Sequence, residues 1–246
     1  MKTKASGGNW LSTSERWLII SRKNSRSYRL TDLFDLYPAV KKMVPIIEIN
    51  SDKSSIMEAV KIMKEGGVIA YPTETFYGLG AHIQNAKALE KIYAIKGRDF
   101  DKPISIIIGS REDLATFARD ITPAAEALMD RFWPGGITLL FNASQDVPEK
   151  LTAKTGKIGI RLSSNPVATL LAQNLSGAIT ATSANRSGQD ECVSIEKVMD
   201  SIGGKLDAVI DGGKTPGGAG STIVDTTVDP PVVVREGIIP LSVIEE

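Results

Sequence analysis

The sequence predicts an α/β domain, a sheet covered by helices. Three observations point to it. Short runs rich in Ile and Val alternate with segments whose apolar residues recur at helical spacing. The helical segments are bounded by Asn, Ser or Thr before them and by Gly or Pro after them. Polar and Gly-rich stretches abut the apolar runs, where α/β proteins usually hold ligands.

Met43 opens MVPIIEIN, which reads as the first strand. Ser54–Glu65 puts Ile56, Ala59, Val60 and Met63 on one helical face, and Gly66-Gly67 stops it. Val68–Tyr71 reads as a short strand. Asn85 caps a helix with Leu89, Ile92 and Tyr93 on one face, closed by Gly97. Ile104–Ile108 is a buried strand. Thr122-Pro123 supplies the cap and first position of a helix with Leu128, Met129 and Phe132 facing inward, ended by Pro134. Strands follow at Ile137–Phe141 and Ile158–Leu162. Asn165-Pro166 opens a helix through Val167, Leu170 and Leu171. A strand at Ile179–Thr182, a helix from Ser194 to Ile202, and short strands at Ala208–Ile210, Thr222–Asp225 and Val232–Arg235 complete the pattern. There is no internal repeat.

The counts narrow the chemistry. A chain of 246 residues, 42% apolar and 24% charged, is an ordinary globular protein of one large or two small domains. No apolar run approaches the roughly 18 residues of a spanning helix, and a cytoplasmic protein is expected. The single cysteine, Cys192, excludes an intramolecular disulfide and a Cys-based zinc site, and reads as a packing residue. The single histidine, His82, excludes two-histidine metal motifs and reads as a local hydrogen-bonding residue. Catalysis therefore rests mostly on Lys, Arg, Asp and Glu. The formal charge is zero, but it is unevenly placed. Residues 1–45 hold nine basic and three acidic groups, a surplus of +6, and the remainder carries −6. Residues 1–42 read as a basic, poorly ordered extension and 43–246 as the domain, with Met43 a candidate start of translation.

Four segments carry groups that suit a ligand. Tyr71–Gly80 (YPTETFYGLG) sets two threonine hydroxyls and a carboxylate in a turn; a plain turn is the alternative. Lys96-Gly-Arg98, with Lys102, gathers three cations past a helix C-terminus. Gly97 allows the flanking side chains to converge on one polyphosphate, whereas a dipole-capping role is the alternative. The sequence is no Walker A loop. Thr180–Gly188 (TATSANRSG) is dense in hydroxyls and amides that bond phosphate or a nucleobase, or simply form Asx and Ser/Thr turns. Asp211–Thr222 is Gly-rich backbone that either presents N–H groups to an anion or forms a surface loop. Arg161 and Arg235 add cations at strand ends.

In order and spacing, YPTETFYGLG, KGR…KP, FWPGGITLL, IGIRL, TSANRSG, STIVD and VVVREG resemble the YrdC/TsaC family, from about Ile46 to Gly237. The resemblance implies a single YrdC-like domain, a twisted mixed sheet with helices and an open concave cationic cleft. It implies threonylcarbamoyl-AMP synthesis, in which L-threonine, bicarbonate and ATP give L-threonylcarbamoyladenylate and pyrophosphate. Mg²⁺ accompanies ATP, and no protein metal site is implied. The product serves N6-threonylcarbamoyladenosine formation in tRNA, with TsaB, TsaD and TsaE-type partners downstream.

Residue by residue, the resemblance places Lys96, Arg98, Lys102, Ser183, Asn185 and Arg235 at ATP, with Lys96 and Arg98 as the catalytic cations. It places Thr75, Arg161, Ala181 and Ser221 at threonine. Three positions depart from long-form members: Ile107 stands for His, Lys157 for Thr and Glu191 for Ser. A carboxylate at 191 is unfavourable near phosphates unless it points away. The chain ends soon after VVVREG, as the short bacterial form does. A non-enzymatic double-stranded RNA-binding module is the rival reading; it would grip a duplex backbone through the basic cleft.

Overall fold

A computed structural model describes residues 44–51 and 53–244. The expectations for residues 1–42 and for a start at Met43 lie outside the described residues.

The elements follow the sequence pattern closely. They are β1 (Ile46–Glu48), α1 (Ser54–Lys64), β2 (Ile69–Tyr71), β3 (Gly78–Gly80), α2 (Ala86–Lys96), β4 (Ser105–Ile108), α3 (Leu114–Phe117) and β5 (Ala118–Arg119). Next come α4 (Pro123–Phe132), β6 (Ile137–Ala143), α5 (Glu149–Thr152), β7 (Lys157–Leu162), α6 (Pro166–Gln173) and β8 (Ala178–Ser183). The last are α7 (Ile195–Ser201), a 3₁₀ turn (Gly203–Lys205), β9 (Ala208–Asp211), β10 (Thr222–Asp225), β11 (Val232–Arg235) and α8 (Leu241–Ile244).

The expected caps hold three helices. Asn85 accepts from the Ala88 N–H, Thr122 from that of Ala125, and Asn165 from that of Val167. Gly97 ends α2 at φ 60°, a left-handed conformation that costs glycine nothing. The sequence reading missed β3 because Gly-Leu-Gly has little strand propensity. Both glycines lie against the Tyr71 ring. A Cβ on Gly78 would come within 2.9 Å of it, so only a bare backbone can pair there. The one-turn helices α3, α5 and α8 are too short to show periodicity.

The strands form one mixed sheet in the order β1-β9-β2-β3-β8-β4-β7-β6-β10-β11, with β5 beside β6. Side chains alternate across it and divide the core in two. Ile106, Ile108, Ile158, Ile160, Leu139 and Val209 join a core with Leu89 and Ile92 of α2, Met129 of α4 and Val198 of α7. Ile107, Ile69, Tyr71, Ile179 and Ile210 join the opposite core with Met63 of α1 and Leu171 of α6. At about 25 cal/mol per Å² of apolar area, these two layers are the main stabilising term. Ile107 is thereby kept from any substrate, and Lys157 is engaged elsewhere. Ile107 is fully buried in the second core, and Lys157 pairs with Asp225 at 2.7 Å.

Two further expectations hold. His82 Nδ1 accepts from the Gln84 N–H at 3.1 Å, and Cys192 is buried. Among the described residues, no helix is long and apolar enough to cross a membrane.

Candidate functional site

Strand register builds the base of a cleft. Ser105 pairs with Ala181, Ile107 with Arg161, and Thr138 with Ile223, so these residues share the face opposite the first core. Towards β1, that face is covered by α1 and α6 through the second core. Towards β10, Ser105, Arg161, Thr138, Ala181 and Ile223 line a cleft of about 650 Å³. Loops from the other segments form its walls. All ten residues expected at the site line it: Thr75, Lys96, Arg98, Lys102, Arg161, Ala181, Ser183, Asn185, Ser221 and Arg235.

Lys96 is the last residue of α2 and is almost fully buried. Its ammonium donates to the Ser183 carbonyl at 2.6 Å, the Asn185 carbonyl at 3.1 Å and Asn185 Oδ1 at 3.2 Å. Those three acceptors match its three protons. The Lys-x-Arg and Ser-x-Asn segments are thus one structure, and Lys96 ties the β8 loop to the end of α2. Burial, and then the neighbouring Arg98, push the Lys96 ammonium down to about 8, with Glu191 opposing. Ser183 Oγ donates to Asn185 Oδ1 at 2.6 Å, and Asn185 Nδ2 donates to the Gln189 carbonyl at 2.5 Å.

Arg98 follows the left-handed turn at Gly97. Its guanidinium lies 5.4 Å from the centre of the Tyr93 ring, and its Nε is buried without a partner. A buried, unpartnered donor is costly unless a ligand completes it. Lys102 is exposed at the rim.

Arg161 is 7% exposed. Its Nη1 lies 3.1 Å from Glu74 Oε1, and Ser163 Oγ donates to Glu74 Oε2. Arg161 Nε is a second buried donor without a partner. Thr75 is held by its neighbour: its N–H donates to Thr73 Oγ1 at 3.1 Å. On the far wall, Thr138 Oγ1 donates to Ser221 Oγ at 2.8 Å, and Arg235 Nη2 donates to the Ser221 carbonyl at 2.7 Å.

Of the two readings of Asp211–Thr222, the hydrogen bonds favour the loop. The amides of Gly212, Gly213 and Gly217 are not presented to an anion. They donate to the Tyr77 hydroxyl, to Asp211 Oδ1 and to the Thr75 carbonyl. Only Gly220 and Ser221 of that stretch reach the cleft. Glu191 lines the cleft, and its charge acts on Lys96 and Arg235.

Glu74 is a visible carboxylate in the sequence, but its partner Arg161 is 87 residues away and meets it only in the fold. Thr138 and Ser105 were passed over. Their signal is a hydroxyl on an otherwise apolar strand, and only register puts both on the cleft face.

Known proteins match this arrangement. The family model for Sua5, YciO and YrdC, described as telomere recombination, matches residues 61–237. The threonylcarbamoyl-AMP synthase of Pyrococcus abyssi is 39% identical over 188 residues, covering 76% of this chain and 55% of that protein. The chain thus spans little more than half of that relative. The crystal structure of P. abyssi Sua5 complexed with L-threonine superposes with TM-score 0.78 at 37% identity, covering 83% of this chain and 60% of that one. E. coli YciO superposes with TM-score 0.75 at 31% identity, covering 82% of this chain and all of YciO. By sequence match and by fold, the chain belongs to the Sua5/YciO/YrdC family.

Proposed function

We propose that the chain is a threonylcarbamoyl-AMP synthase, a nucleotidyltransferase that makes L-threonylcarbamoyladenylate and pyrophosphate from L-threonine, bicarbonate and ATP. The observation that carries the reading is convergence. Ten residues spread from Thr75 to Arg235 line one cleft, with cations on its base and walls. The relative's name and the threonine complex of its structure support the substrates.

The chemistry needs little covalent help from the protein. Threonine's amine condenses with bicarbonate to a carbamate, releasing water. A carbamate oxygen attacks the α-phosphorus, the bond to the β-phosphate oxygen breaks, and pyrophosphate leaves with the electron pair. Positioning and charge neutralisation then dominate the rate. The Arg161 guanidinium, which lines the cleft, suits the threonine carboxylate, with Thr75 and Ser221 orienting the rest of the amino acid. Arg98 and Arg235 face the nucleotide phosphates. Lys96 holds the Ser183–Asn185 loop against them and adds its charge from behind. A general base is unnecessary once the carbamate has formed.

Magnesium fits as the companion of ATP. Among the described residues no group of three or more His, Cys, Asp or Glu side chains could hold a metal ion. The cleft instead offers two carboxylates, Asp190 and Glu191. Such a sparse donor set suits Mg²⁺, which binds through one or two carboxylates plus substrate phosphates and neutralises phosphate charge.

The adenylate would supply N6-threonylcarbamoyladenosine synthesis in tRNA through TsaB, TsaD and TsaE-type partners. The duplex-RNA reading is the weaker one. Lys96 and Arg161 are buried, beyond the reach of a duplex backbone. The test is mass-spectrometric detection of threonylcarbamoyl-AMP from purified protein, leaving out each substrate in turn. Product that forms without threonine would sink the assignment.

A further inference from the structure

Glu191 has an unusual position for a carboxylate. It lines a cleft whose other charged groups, Asp190 apart, are Lys96, Arg98, Lys102, Arg161 and Arg235. The backbone fixes it there. Asn185 Nδ2 donates to the Gln189 carbonyl on one side, and the Tyr77 N–H donates to the Cys192 carbonyl at 2.9 Å on the other. The buried Cys192 side chain anchors the next residue. Glu191 itself is half-buried, and among the described residues it makes no hydrogen bond and no ion pair. Its charge nevertheless reaches both walls and favours the protonated forms of Lys96 and Arg235.

A carboxylate carried on anchored backbone beside a phosphate site acts with opposite sign on two forms of the same ligand. It repels a bare polyphosphate. It attracts a polyphosphate that carries a divalent cation, and it can join the coordination of that cation. We propose that Glu191 is a specificity-determining residue that makes the cleft select the magnesium complex of the nucleotide over the metal-free polyanion. Lys96, Arg98 and Arg235 alone would favour the more highly charged, metal-free form; Glu191 reverses that preference. Asp190 is exposed and contributes less.

This inference rests on the proposed nucleotide site, and binding rather than turnover tests it. The probe is α,β-methylene-ATP, which cannot release pyrophosphate, titrated by calorimetry in excess magnesium and again in EDTA. The wild-type chain should bind the magnesium complex roughly tenfold more tightly than the free analogue. Glu191→Gln, nearly isosteric, should raise affinity in EDTA and bring the ratio to one or below, and Glu191→Ser should do the same. Asp190→Asn should leave most of the preference in place. A magnesium preference that Glu191→Gln and Glu191→Ser leave unchanged overturns the role of Glu191. No binding of the analogue by the wild-type chain in either buffer overturns the nucleotide site itself.

Discussion

The ammonium of Lys96 donates to the carbonyl oxygen of Ser183 at 2.6 Å, joining the last residue of α2 to the last residue of β8. Two segments 87 residues apart are thereby one element of the site. Lys96→Met removes this bond and those to Asn185, leaving acceptors of the loop without a partner. The lost hydrogen bonds to a charged group cost about 1.5–3 kcal/mol, and removing the buried charge offsets part of this, so the expected net loss is about 1 kcal/mol. Urea unfolding measures it. An unchanged midpoint would show that the loop is held by other contacts.

The same ammonium gives a pH signature. Its pKa is pushed down to about 8 from the ordinary 10.5. Between those values the unfolded chain holds the proton and the folded chain does not. The stability contribution of Lys96 therefore rises with pH across that window, and below it the cost of burying the charge is fully present. A bound polyphosphate favours the ammonium. Nucleotide binding at about pH 9 should then be accompanied by proton uptake that disappears near pH 6. Calorimetry in buffers of different ionisation enthalpy reads it, and Lys96→Met should abolish the uptake.

Glu74 and Arg161 form a buried pair, with side chains 13% and 8% exposed. Glu74→Gln keeps the bond from Ser163 but leaves the guanidinium without its counter-charge. The expected cost is about 3 kcal/mol of stability, as for breaking other buried pairs. KM for threonine should rise while KM for ATP stays unchanged, because the lesion is confined to the Arg161 side of the cleft. A rise in both constants alike would point to general loosening of the fold.

Arg98 has a buried Nε without a partner, while the Tyr93 ring and the Pro103 carbonyl hold its guanidinium. Arg98→Ala should cost about 2–5 kcal/mol of transition-state stabilisation, as for a desolvated charge contact. Pyrophosphate release dependent on ATP and threonine is the assay. Near wild-type turnover by the folded variant would remove Arg98 from the site.

Much of this was legible before any coordinates. Capping residues such as Asn85 and Thr122, the αL stop at Gly97 and the Ile-rich runs are local signals, because helix ends and strand pleats are decided by neighbours in sequence. The site residues were named through the resemblance of their motifs to a known family. Three things could not be read. The pairing of β3 depends on a tyrosine ring lying over two glycines. The choice of face for Thr138 and Ser105 depends on sheet register. The partners of Lys96, Arg161 and Glu191 lie on other strands and loops.

The sequence by itself determined which residues carry charge and hydroxyls, and where the longer helices and the Ile- and Val-rich strands lie. The tertiary structure alone decided which of those groups meet. It turned Lys96 from an apparent free cation into the tie between the end of α2 and the loop after β8, paired Arg161 with Glu74, and set Glu191 among the cations. The physical reason is that charges interact through space at a few ångströms, and that distance is fixed by strand order and register rather than by position along the chain.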